Sequence, residues 1–212
     1  MLPETRDETA GETQEVEAPL QPARDQSPSI GAGWLAVGLA VLTCLTFGTI
    51  VRHDFINFDD DILIRDNADF HPVTFKKIVG YWDGPYYGGA FPVTYTVLAL
   101  IADSAQDWQH NIQAGLFHAV SVALHIASTV LVFLLLRALV RRDIPAALGA
   151  ALFCVHPLQV ESVAWATNIN TLLYGVFSLA ALWLYVLYAQ RRPHAWTLFA
   201  VATLAFVLAM LS

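Results

Sequence analysis

The sequence has little cysteine, little charge and few basic residues. Cys44 and Cys154 are its only cysteines in 212 residues. Both lie inside apolar runs, which excludes a disulfide framework and a cysteine-ligated metal centre and leaves them as small packing residues. Charged residues make up 14% of the chain, and the net charge is −7. No basic patch interleaved with aromatics occurs, which excludes nucleic acid as a partner. There is no Gly-rich phosphate loop and no internal repeat. The N-terminal stretch lacks the basic segment of a cleavable signal peptide, so the first apolar run is expected to be an uncleaved anchor.

What the chain does have is apolar residue in long runs. Such residues are 56% of the total, aromatics are 12%, and six are Trp. The mean hydropathy is +0.52. An apolar run of roughly 20 residues crosses a bilayer. The fold class expected is therefore an all-α polytopic membrane protein, with five spans at about 31–51, 112–136, 144–165, 169–189 and 195–212. Residues 1–29 are acidic and polar and are expected to be a disordered cytoplasmic tail. Residues 30–212 form the membrane domain, whose long first extracytoplasmic loop, 52–111, carries a short apolar helix near 92–102. Arg137, Arg141 and Arg142 follow the second run, and Arg191 and Arg192 the fourth. Basic short loops face the cytoplasm, which turns loop 52–111 outwards. The last apolar run meets no polar stop, so the chain is expected to be a fragment of a longer protein, inactive alone.

Four groups of residues are candidates for chemistry. Asp59, Asp60 and Asp61 stand together just past the first span, where mutual repulsion gains nothing for folding. One carboxylate can act as general base towards a hydroxyl, and Asp60 is the candidate ligand for a divalent cation. The alternative is a solvated acidic loop. In the second span, His118, Ser121, His125 and Ser128 fall within one arc of about 80°. Polar groups there line a wet cavity or bond helix to helix. The third group is His156-Pro157 with Glu161 and Trp165. Either Glu161 is a functional intramembrane acid, or the helix has already emerged into water there. The fourth, Tyr81 to Pro92, is rich in Gly and aromatics and suits interface anchoring better than sugar stacking.

Taken together, four segments resemble the membrane half of the GT-C glycosyltransferases, and within them the transmembrane-and-tetratricopeptide O-mannosyltransferase-like family with its bacterial relatives. They are Phe55-Ile-Asn-Phe-Asp-Asp60, Phe91-Pro-Val-Thr-Tyr95, Phe117-His-Ala-Val-Ser-Val-Ala-Leu-His125 and His156-Pro-Leu-Gln-Val-Glu-Ser-Val-Ala-Trp165. The resemblance implies a partial GT-C-like helical bundle in which Asp59 and Asp60 are catalytic. It implies transfer of a sugar from a polyprenyl-phosphate donor to a hydroxyl acceptor, a protein among the candidates, at the extracytoplasmic or lumenal face. His118, His125, His156, Glu161, Asn168 and Asn170 are then the substrate-binding candidates. Relatives carry charged residues where this chain has Thr167-Asn-Ile-Asn-Thr171, so amides and hydroxyls would meet the donor phosphate. The location implied is the bacterial inner membrane, or the endoplasmic reticulum membrane in a eukaryote.

Two other readings compete. A transporter or flippase would carry ionisable groups through the full depth of the bilayer, whereas the carboxylates here gather on one side. A non-catalytic membrane scaffold would use the outer loop to bind a partner.

Overall fold

The computed structural model describes residues 31–109, 111–190 and 196–212. The expected acidic tail, the Arg191-Arg192 pair and Ala195 at the start of the last expected span lie outside them. The described chain is all-helical, without strands; its only β pairing is two isolated bridges, Tyr86 to Gly89 and Gln106 to Ile112.

Helix α1 (Ala32–Phe47) is uncharged and apolar around its whole circumference, and it continues into a 3₁₀ segment, Gly48–Arg52. A helix without a polar face has no side to give to water. Helices α2 (Phe75–Gly80) and α3 (Pro92–Ala105) follow in the loop region; Pro92 stands at the start of α3, where a missing N–H costs nothing. Helix α4 (Ala114–Val140) has 27 residues. At about 1.5 Å per residue it exceeds the hydrocarbon thickness. Helices α5 (Asp143–Cys154), α6 (Gln159–Ala164), α7 (Ile169–Gln190) and α8 (Trp196–Met210) complete the chain.

Among the described residues three helical segments are long and apolar enough to cross a membrane: Ala32–Arg52, Ala114–Val140 and Ala166–Gln190. The stretch expected as one span at 144–165 is instead broken into α5 and α6. Pro157 explains the break. It lacks an N–H, its ring clashes with the preceding turn, and it disfavours helical geometry at His156. Helix α8 has 15 residues, about 22 Å of rise.

Helix α4 is the hub, packing on α1, α3, α5, α6 and α7, while α8 packs on α7. Ala146 and Ala150 let α5 lie close against Leu39 of α1 and Phe133 of α4, as small residues do between membrane helices. A larger core formed by Phe55, Phe70, Tyr95, Leu98, Phe117 and Ile169 binds the loop after α1 to α3, α4 and α7. The two ends of the bundle are tied separately. The Val93 N–H donates to the Leu211 carbonyl at 3.1 Å, joining α3 to the end of α8. At the opposite end Gln190 Nε2 donates to the Ala138 carbonyl at 3.0 Å, joining α7 to α4.

Candidate functional site

The three consecutive aspartates have three different environments. A single π-type turn, Asp61–Arg65, begins at the last of them. Its winding sends neighbouring side chains in different directions. Asp60 is fully buried. One of its oxygens accepts the Ile56 N–H at 3.0 Å, and the other accepts the Thr167 N–H at 3.0 Å across 107 residues of sequence. Asp60 therefore latches the loop after α1 to the 3₁₀ turn Ala166–Asn168. Asp61 is ion-paired to Arg65 at 2.8 Å on the surface of the loop. Asp59 is half-buried and lines a cleft.

That cleft has a volume of about 230 Å³. Beside Asp59 it is lined by Thr94 and Tyr95 from α3, Trp165 and Thr167 from the turn before α7, and Asn168 and Asn170. Asn168 Oδ1 accepts the Thr171 hydroxyl, which fixes the amide and leaves its Nδ2 donors to the cleft. Thr94 Oγ1 and Trp165 Nε1 are buried without a hydrogen-bond partner. Such groups are costly when left unpaired, and both residues line the cleft.

The remaining expected site residues are spread out. His118, Ser121, His125 and Ser128 are all buried, so the arc on α4 faces inwards. His118 is about one turn into α4, close to Asp54 and Asp60. His125 Nε2 contacts the Cys154 carbonyl at 3.0 Å, and its ring meets Phe47 edge-on at 5.1 Å. It bonds α4 to the frayed end of α5. His156 is exposed in the break between α5 and α6, where its Nδ1 accepts the Leu158 N–H at 3.3 Å. Glu161 is exposed on α6. Neither lines the Asp59 cleft.

The divalent cation expected at Asp60 has no fitting donor set. Both oxygens of that buried carboxylate are engaged by backbone amides. Among the described residues no group of three or more His, Cys, Asp or Glu side chains gathers where a metal ion could sit.

The aromatic stretch 81–92 is in part core, not interface anchor. Tyr81 is 2% exposed and packs on Tyr86 and Tyr95. The Tyr86 hydroxyl lies 3.0 Å from Asn67 Oδ1 and 2.8 Å from Asp69 Oδ2. Burial pushes the Tyr81 phenol up to about 12, with the charge of Asp69 adding to it. Burial, then the bond to Asp69, raises Tyr86 as well. Trp82, Tyr87 and Phe91 remain exposed. This network supports α3 from outside and so holds the Thr94 and Tyr95 wall of the cleft. Trp165 belongs to the third candidate group; Thr94 and Tyr95 lie in the quoted Phe91–Tyr95 segment, but nothing in the sequence marks either as a site residue.

Comparison with known proteins adds one distant similarity. Over 127 residues the chain is 28% identical to Protein O-mannosyl-transferase TMTC3 of Mus musculus, and the match covers 58% of this chain. The Homo sapiens protein of the same name is 27% identical over 127 residues. The matched region spans 14% of the length of each relative. No family model and no solved structure matches the chain.

Proposed function

We propose that this chain carries the outer-face site of a membrane glycosyltransferase that moves a sugar from a polyprenyl-phosphate donor to a hydroxyl acceptor, with protein hydroxyls as the acceptor class. The observation that carries the reading is the convergence at one cleft of Asp59, of Thr94 and Tyr95, and of Trp165, from three segments far apart in sequence. A fourth segment touches the first where Phe117 meets Phe55 at 5.5 Å. The distant similarity to an O-mannosyl-transferase supports the same class of reaction.

The residues divide the work. Asp59 is the general base: it is half-buried, it lines the cleft, and its neighbour Asp60 holds its backbone in place. Its carboxylate takes the proton of the acceptor hydroxyl as the hydroxyl oxygen attacks the anomeric carbon. The bond from that carbon to the donor phosphate breaks, and the phosphate leaves with the electron pair. Thr94 Oγ1 and Trp165 Nε1, buried at the cleft wall without partners, would hydrogen-bond sugar hydroxyls once a small side-chain rotation turns them into the cleft. The amides of Asn168 and Asn170 are neutral donors for the phosphate, weaker than Arg would be. A lipid-anchored donor requires a cleft at the membrane surface, and the proposed topology turns this end of the bundle outwards.

The test uses membranes from cells expressing the intact protein, supplied with a radiolabelled polyprenyl-phosphate mannose and a Ser/Thr-rich peptide. Label should pass to the peptide in the wild type and not in Asp59→Asn. Transfer from a nucleotide sugar in the absence of the lipid donor, or full transfer by Asp59→Asn, would overturn the reading.

A further inference from the structure

The end of the bundle opposite Asp59 holds a second cavity, of about 490 Å³, between α4, α5 and α7. Leu187 and Trp183 form its apolar wall, and Arg137, Arg141, Asp143 and Gln190 its polar rim. Its two arginines differ. Arg137 Nε is paired with Asp143 Oδ1 at 2.7 Å, and it also complements the carbonyl end of α4. The Arg141 side chain makes no hydrogen bond and no ion pair among the described residues. It caps α4 in the left-handed region, φ 58°, with its N–H on the Arg137 carbonyl. That position usually goes to Gly, because a Cβ is disfavoured there. Here it carries a long cationic side chain at the mouth of a half-apolar cavity, just past the last turn of a helix apolar enough to cross a membrane.

We propose that this cavity binds the headgroup of an anionic phospholipid from the leaflet at the arginine end. The phosphate would sit on the Arg141 guanidinium, and the glycerol and upper acyl chain would lie against Trp183 and Leu187. Aromatic rings favour this depth of a bilayer, and basic pockets between membrane helices take lipid phosphates. With one acid against two arginines, the rim carries a net positive charge. Asp143 holds the second cation in reserve. The site is separate from the Asp59 cleft, since α7 runs between the two for about 33 Å, and it stands whether or not the transferase reading does.

The experiment measures the thermal shift of the intact protein in detergent on adding phosphatidylglycerol, with phosphatidylcholine and inorganic phosphate as separate arms. Phosphatidylglycerol alone should stabilise it. Arg141→Ala should weaken that lipid's apparent affinity about fivefold, the effect of removing one interfacial cation, and Arg141→Lys should restore most of it. Asp143→Asn should tighten binding by releasing Arg137, a change of sign that loss of folding cannot mimic. Equal shifts with both lipids, an equal shift with inorganic phosphate alone, or no change in Arg141→Ala would each overturn the proposal. So would Asp143→Asn binding more weakly than wild type.

Discussion

The two ends of the bundle handle charge in opposite ways. At one end Asp60 is buried and held by two backbone amides, one from its own loop and one from a distant segment, and Tyr86 is fixed on Asn67 and Asp69. At the other end Arg137 and Asp143 pair through side chains at the surface, and Arg141 faces solvent. Buried polar groups in good geometry fix positions within tenths of an ångström but are expensive to disturb. Exposed pairs contribute little to stability and can exchange partners. The first end is therefore held in one arrangement, and the second is free to rearrange.

Substitutions on each side sharpen the contrast. Asp60→Ala strips two part-buried N–H groups of their acceptor and should cost about 2–3 kcal/mol of stability, measured by denaturant unfolding in micelles. His125→Phe removes the bond to the Cys154 carbonyl while keeping a ring against Phe47, and should cost about 0.6–2 kcal/mol by the same measurement. The tyrosine network sets a pH limit. Because the folded-state value of Tyr81 lies above its ordinary 10.0, at about 12, stability is unaffected below pH 10 and falls as pH rises from 10 to 12. Tyr81→Phe should flatten part of that fall, followed by near-ultraviolet circular dichroism. Asp61→Asn breaks a part-exposed pair and should change stability by less than about 1 kcal/mol. A loss as large as that of Asp60→Ala would mean that the acidic loop is one undifferentiated network.

Much of this arrangement is legible in the sequence, and the illegible part has a physical reason. Apolar length alone locates α1, α4 and α7, and the 3.6-residue period places His118, Ser121, His125 and Ser128 on one buried face. Pro157 marks a break that hydropathy averages away. The differing roles of Asp59, Asp60 and Asp61 leave no trace in composition, because they depend on a single turn and on a backbone N–H supplied by Thr167. Thr94, Tyr95 and Trp165 read as parts of separate motifs until the fold puts them on one cleft. Arg141 is visible as a charge that orients the chain, but its left-handed backbone and its lack of a partner are not.

The most direct test is the pair Asp59→Asn and Asp60→Asn in the intact protein, with sugar transfer and unfolding free energy measured on the same preparations. If Asp59 is the base and Asp60 its latch, Asp59→Asn lowers turnover by about 10²–10⁴-fold with wild-type stability. Asp60→Asn then destabilises the protein, and its loss of turnover recovers in part on cooling or on adding a stabilising osmolyte. Equal turnover losses at unchanged stability in both variants would contradict the division between base and latch, and wild-type turnover in Asp59→Asn would place the chemistry outside this cleft.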